Sequence, residues 1–107
     1  TVSLQGAAGD GTVELTIDPA RAGTNTLRVQ YLDADGRPLD VATDLRIEFR
    51  LPEADLGPIS REVVKVGPGT FVVEGSELSI PGRWEIALAV RPSDFREVRT
   101  PFVVDIP

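Results

Sequence analysis

The side chains of this sequence that could do chemistry are carboxylates, and the densest group of them lies between residues 33 and 44. Asp33, Asp35, Asp40 and Asp44 supply four carboxylates within these twelve residues. Clustered oxygen atoms are what a hard cation such as calcium needs. An EF-hand loop, however, needs a further ligand before its glycine, and Gly36 comes too early. Because Asp-Gly is typical of a hairpin turn, we favour a turn with the other acids facing solvent.

Two pairs of carboxylates also raise the possibility of catalysis. Glu74 and Glu77 flank a Gly-Ser pair, and Glu53 and Asp55 lie in the segment 51–59. Two carboxylates about 5–10 Å apart across a cleft can hydrolyse a glycoside. The sequence predicts no such cleft, so we expect solvated loop acids, no catalytic residues and a protein that is not an enzyme.

The composition excludes several other kinds of chemistry. The 107 residues include no His, Cys or Met, which supply most soft metal ligands and most nucleophile–base pairs. We therefore expect no copper or zinc site and no cofactor. The net charge of −6 argues against nucleic acid as a partner, because no basic surface neutralises phosphates. No apolar run approaches the roughly 20 residues of a membrane helix, so we expect no direct membrane insertion.

Apolar and polar residues alternate along most of the chain, which is typical of strands with one buried and one exposed face. Turn residues such as Asp18-Pro19 and Pro81-Gly82 separate these runs. The sequence predicts a single domain over 1–107, an all-β, immunoglobulin-like antiparallel β-sandwich of seven or eight strands. The strands are expected near 2–6, 12–18, 24–32, 43–51, 60–66, 70–75, 82–91 and 98–106, with 51–59 crossing between the sheets and 40–44 forming a loop or short helical turn.

Trp84 is the only tryptophan and lies in a strongly alternating run. It could form a platform on which a sugar stacks. It shares its parity with Ile86 and Leu88, however, so we expect it in the core. We expect it to be buried there together with Val29, Ile47, Phe71, Leu88 and Phe102 from both sheets.

Two connections are candidates for contact with a partner. The turn 18–25 carries Arg21, a suitable anchor at an interface, although the turn can also be purely structural. Asn25 can stiffen that turn through its side chain. The segment 51–59 carries Leu56, which would form an apolar patch with its neighbouring prolines if exposed. A crossover loop that simply caps the core is the alternative.

Several phrases follow one another in a distinctive order. They are the run Pro19-Ala20-Arg21-Ala22-Gly23-Thr24-Asn25-Thr26-Leu27, the run Asp33-Ala34-Asp35-Gly36-Arg37-Pro38, the run Gly69-Thr70-Phe71, then Gly75, Leu78, and the run Pro81-Gly82-Arg83-Trp84-Glu85-Ile86. This order resembles the YtkA-like domain at the C-terminal end of bacterial copper-transport membrane proteins of the CopD/YcnJ type, and the resemblance spans roughly residues 12–91.

The resemblance implies an immunoglobulin-like module on the periplasmic or outer side of a membrane, tethered through the full-length protein. Its partner would be the membrane-embedded part of the same protein or a neighbouring extracytoplasmic domain. Because copper-binding relatives use His, Met or Cys, which this sequence lacks, the resemblance implies docking, gating or bracing rather than a metal site. A generic extracellular adhesion or carbohydrate-binding sandwich is the alternative.

We predict that the chain has no specific site for Cu(I), Cu(II) or Zn(II), because nitrogen and sulfur side-chain ligands are missing. Isothermal titration with a competing chelator should show no stoichiometric binding. A micromolar or tighter site that persists when the N-terminal amine is acetylated would contradict this prediction.

Overall fold

The computed structural model describes residues 2–8, 11–38, 44–91 and 98–107. Within them the chain forms nine strands and one short 3-10 helix. The strands are β1 (Val2–Ala8), β2 (Gly11–Asp18), β3 (Asn25–Leu32), β4 (Asp44–Leu51), β5 (Leu56–Glu62), β6 (Val64–Gly67), β7 (Thr70–Gly75), β8 (Gly82–Arg91) and β9 (Val98–Ile106), and the 3-10 helix is Pro52–Ala54.

The strands form two antiparallel sheets, one of five strands in the order β1-β2-β3-β7-β6 and one of four in the order β5-β4-β8-β9. The orders β2-β3-β7-β6 and β4-β8-β9 correspond to the A-B-E-D and C-F-G sheets of an immunoglobulin domain. The predicted all-β, immunoglobulin-like sandwich is therefore confirmed.

The core lies between the sheets and follows the predicted alternation. Trp84, at 1% exposure, is among the largest fully buried side chains, and its indole Nε1–H donates a 2.9 Å hydrogen bond to the carbonyl oxygen of Ile80. The prediction that Trp84 faces the core is confirmed. The residues expected around it are also buried: Val29, Ile47, Phe71, Leu88 and Phe102.

The segment from 51 to 66 differs from the sequence prediction. The prediction that 51–59 crosses between the sheets is wrong, because the strands on either side of the 3-10 helix, β4 and β5, pair within one sheet. The crossing occurs at Val63, between β5 in the four-stranded sheet and β6 in the five-stranded sheet. One expected strand over 60–66 is thus two strands, which raises the count to nine among the described residues. Val63 packs half-buried against the core, and its N–H donates to the Leu45 carbonyl oxygen at 3.3 Å.

One lateral side of the sandwich is closed by contact between the edge strands β1 and β9. The Thr100 hydroxyl donates a 2.8 Å hydrogen bond to the Ala7 carbonyl oxygen. Gly6 permits this approach, since a Cβ at that position would lie 2.5 Å from the Thr100 methyl group. The opposite lateral side is formed by β5 and β6.

The strand registers bring three connections to one end of the sandwich, which we call the base. They are residues 18–25 between β2 and β3, 51–56 between β4 and β5, and 75–82 between β7 and β8. The turns 33–37 and 67–69 lie at the opposite end. The base therefore contains the segment 18–25 and the first part, 51–56, of the segment 51–59, the two segments that the sequence proposed for contact with a partner.

We predict that Trp84→Ala lowers the free energy of unfolding by about 3–5 kcal/mol, because it leaves a cavity between the sheets. Trp84→Phe is the matched control, since it keeps an aromatic ring in the core and loses the N–H that serves Ile80 together with a smaller part of the ring volume. It should cost less. Urea unfolding followed by circular dichroism measures both. A Trp84→Ala loss no larger than the ~0.5 kcal/mol typical of exposed positions would contradict the prediction.

Candidate docking surface at the base of the sandwich

The connection 75–82 holds the base together. Leu78 is buried at 1% exposure, and its carbonyl oxygen accepts a 3.0 Å hydrogen bond from the Gly23 N–H in the neighbouring connection. The Ile80 carbonyl is fixed by the Trp84 indole. The Ile80 side chain, in contrast, is 41% exposed. The base therefore combines a fixed backbone with an apolar side chain at its surface.

The connection 18–25 is stabilised by the buried side chain of Asn25. Its Oδ1 atom accepts a 2.8 Å hydrogen bond from the Ala20 N–H, and its Nδ2 group donates to the carbonyl oxygens of Arg21, at 2.9 Å, and Gly23, at 3.2 Å. Ala20 has a φ of 63°, which is unfavourable for a residue with a Cβ. The Asn25 bonds offset that cost. They join the side chain to backbone groups of the turn, as the sequence predicted for Asn25.

Arg21 lies in this turn with its side chain exposed. Ala22 beside it is also exposed. Asn25 binds both the backbone N–H and the backbone C=O of Arg21. The backbone from which the Arg21 side chain extends is therefore held in place, while the side chain itself is exposed to solvent. This arrangement suits an anchor for a partner, and the docking role itself stays a prediction.

Leu56 begins β5 at the base and is half-buried against the core. Leu51, in the same segment, is fully buried at 1% exposure. The apolar surface near Leu56 is therefore formed mainly by its neighbours Pro52, Pro58 and Ile59, of which Ile59 is 39% exposed. Leu56 can contribute only part of its side chain to a contact, because the rest packs against the core.

The carboxylates that could have served catalysis are occupied by other groups. Glu77 forms an ion pair with Arg61, with 2.7 Å between Oε2 and a guanidinium nitrogen, and this pair lies over Gly75. Glu74 accepts a 3.3 Å hydrogen bond from the Thr26 hydroxyl on the neighbouring strand. The two acids thus serve different partners.

Glu53 and Asp105 line an open depression of about 850 Å³ beside the base. Glu53 Oε1 accepts a 2.8 Å hydrogen bond from the Arg83 backbone N–H, and Asp105 forms a 3.0 Å ion pair with the Arg83 side chain. The hydrogen bond that the Arg83 guanidinium donates to the Asp105 carboxylate raises the pKa of Arg83. Asp55, paired with Glu53 in the sequence, instead ends the 3-10 helix with its N–H on the Pro52 carbonyl. This geometry favours structural roles for these acids.

The acidic turn forms as expected where the structure describes it. Asp33 Oδ1 accepts hydrogen bonds from the N–H groups of Asp35, at 2.9 Å, and Arg37, at 3.0 Å, while Gly36 has a φ of 80°. Asp40 lies outside the described residues, as does most of the segment 40–44, and the Asp44 side chain is not described. Across the described ranges, no group of three or more acidic side chains is arranged to hold a metal ion.

The outer face of the four-stranded sheet carries a second ion pair, between Arg99 on β9 and Glu48 on β4. The hydrogen bond from Arg99, with a smaller contribution from the charges of Arg99 and Arg46, lowers the pKa of Glu48. A smaller depression of about 400 Å³ lies on this face, next to the half-exposed Val103. The sequence alone gave no signal for this pair, because its residues are 51 positions apart.

The aromatic side chains give no platform for stacking a sugar within the described part of the chain. Phe95 lies outside that part. The other aromatic residues are all buried at 7% exposure or less, and they are Tyr31, Phe49, Phe71, Trp84 and Phe102.

Comparison with known proteins places this immunoglobulin-like sandwich in a family. The chain matches the family model described as YtkA-like over residues 6–89, and it belongs to that family. The match extends from within β1 to within β8 and includes every connection of the base. No curated protein and no solved structure matches the chain. In the described ranges, the structure contains no helix of the length and apolarity needed to cross a membrane.

We predict that Asn25→Ala lowers the free energy of unfolding by about 2–3 kcal/mol, because it leaves the buried Ala20 N–H without its acceptor. Asn25→Asp, which keeps an oxygen but loses the Nδ2 donor, should lie between the variant and the wild type at neutral pH. The exposed neighbour Thr24→Ala is the matched control. Equal stability of Asn25→Ala and Thr24→Ala in thermal unfolding would show that Asn25 does not hold the turn.

Proposed function

We propose that this protein is a non-catalytic extracytoplasmic accessory domain of a copper transport or copper resistance membrane protein. It acts by docking on the membrane-embedded part of the same protein or on a neighbouring extracytoplasmic domain. The observation that carries the proposal is the YtkA-like family match over residues 6–89. The copper context comes from the resemblance to domains of the CopD/YcnJ type.

The chemistry of the chain supports contact rather than ion carriage. A domain that passed copper along would need soft ligands, and the sequence has no His, Cys or Met. What the domain offers instead is a shaped surface. At the base, the exposed Arg21 lies on a turn held by Asn25, and Ile80 lies on a connection held by Trp84.

Fixed connections reduce the cost of binding. Ordering loops and side chains opposes association by about 0.5–1.5 kcal/mol for each immobilised flexible side chain. Two hydrogen bonds between the Asn25 side chain and the Arg21 backbone hold this turn before any partner arrives, and the hydrogen bond from the Gly23 N–H to the Leu78 carbonyl oxygen joins the turn to the next connection. A partner that contacts the base therefore meets a surface whose backbone is already in place.

A carbohydrate-binding or adhesion module is the alternative reading of the sandwich. Such a module would present an aromatic side chain on its surface, and the described aromatic residues are buried. This observation argues for the accessory domain over the carbohydrate-binding module.

The test replaces Arg21 and Leu56 by Ala, singly and together, in the complete gene product. We expect copper-dependent growth to fall because the contact is weakened. Arg28→Ala, an exposed arginine on β3, and Leu4→Ala, a half-buried leucine on β1, are matched controls away from the base. Both controls should retain growth at comparable melting temperatures.

The outcomes separate docking from folding. Growth lost in Arg21→Ala at an unchanged melting temperature supports docking at the base. Growth lost only in proportion to a lowered melting temperature, equally in Leu56→Ala and Leu4→Ala, shows a stability effect. Unchanged growth in the double variant would exclude these residues as the contact.

A further inference from the structure

The first and the last strand of the sandwich both have their outer ends at the base. β1 begins there, because its first residue, Val2, pairs with Ile17 at the base end of β2. β9 ends there, because Ile106 pairs with Gly82 at the start of β8. A polypeptide that continues this domain in either direction therefore leaves the sandwich at the base, beside the connections that form its surface.

The position of these ends determines how short a tether to a docking partner can be. The Cα atoms extend over 36 × 25 × 20 Å. A strand of ten residues such as β8 spans about 33 Å, so the long dimension runs along the strands. A partner at the opposite end would need a linker of about ten extended residues to run back along the sandwich. A partner at the base needs none of that length.

The area of the base limits how tightly it can hold a partner. An end of the sandwich measures 25 × 20 Å across its Cα atoms. Covering all of it buries roughly 500 Å² on each partner, whereas a stable interface between separate proteins buries about 800 Å² on each. The base is therefore too small for tight binding of a separate protein, and it suits a partner that is joined to the domain.

The side chains of the base indicate the chemistry of the surface that fits it. Arg21 presents its exposed side chain on a turn whose backbone is held by Asn25. The neighbouring connection, joined to that turn by the hydrogen bond from the Gly23 N–H to the Leu78 carbonyl oxygen, presents Ile80 at 41% exposure. A complementary surface offers a carboxylate to Arg21 beside an apolar area for Ile80.

We propose that the base docks on the membrane-embedded part of its own polypeptide, at a surface with a carboxylate beside an apolar area, and that this contact depends on the tether. The inference rests on the proposed function and selects one of its two partners. A short tether supplies an effective concentration in the millimolar range. A contact with a Kd of about 0.1 mM is then formed about nine-tenths of the time, although it would dissociate between separate proteins at micromolar concentrations. The opposite end of the sandwich stays exposed.

The test uses single cysteines, because the sequence has none of its own. Ala22→Cys and Ala54→Cys place a thiol on two connections of the base, and Ala34→Cys, in the turn at the opposite end, is the matched control. All three alanines are exposed. Maleimide labelling of each site is measured by peptide mass spectrometry in the complete gene product in membranes, before and after cleavage at a protease site inserted at the junction. We expect the two base sites to react about tenfold more slowly before cleavage than after it, and the Ala34 site to react equally.

A pair of charge reversals tests the chemistry of the contact. Arg21→Glu should remove most of the protection at the Ala54→Cys site, because it opposes a carboxylate on the partner. Arg28→Glu, at an exposed arginine on β3, makes the same change of charge away from the base and should leave the protection intact. Both variants should melt close to the wild type, since exposed positions contribute little to stability.

The inference is overturned if the base sites react as fast before cleavage as after it, if the Ala34 site is protected instead, or if protection survives cleavage. It is also overturned if the two charge reversals act alike. Deletion of residues 1–107 separates this result from the proposed function. Growth on copper that needs the domain while its base sites react freely leaves the accessory role standing without this contact. Growth that is unaffected by the deletion removes the accessory role itself.

Discussion

Burial of the two alternating apolar faces against each other is the constraint on which the rest of this structure depends. The sequence has no cysteine with which to join the sheets, so their packing must hold them together. Trp84 fills the space between them, and its N–H reaches the Ile80 carbonyl at the base. One side chain thus links the core to the connection that organises the base. The packing of Trp84 in the core therefore also positions the Ile80 backbone at the surface of the base.

Much of the fold could be predicted from sequence because alternation of period two is a local signal. Val13, Leu15 and Ile17 read as a half-buried strand and are fully buried. The break at Val63 could not be predicted, because β5 and β6 are nearly contiguous and only the partner strands show that they belong to different sheets. The extent of β5 was missed for a similar reason, since Gly57 and Pro58 are typical turn residues but here lie within an edge strand.

The candidate site was predicted in part. Asn25 was recognisable because a short amide side chain at the end of a turn commonly binds neighbouring backbone groups. The partners of the carboxylates were not recognisable, since they are distant in sequence: the Arg61 side chain lies 16 residues from Glu77, and the Arg83 backbone N–H lies 30 residues from Glu53. Such pairs form because the order of the strands in each sheet brings distant residues together. That order cannot be derived from the composition of the chain. The exposure of Leu56 could not be predicted from the sequence either, which allowed an exposed patch or a cap over the core. The half-buried side chain does part of both, since it packs against the core and keeps some surface exposed.

The fold separates the surface of the sandwich into distinct regions. The base lies where β2, β4 and β7 end, whereas Gly67 at the end of β6 pairs with Thr70 at the start of β7, toward the opposite end. Contact at one region leaves the other accessible. The base presents side chains on turns whose backbone is held by the Asn25 side chain and by the hydrogen bond from the Gly23 N–H to the Leu78 carbonyl oxygen.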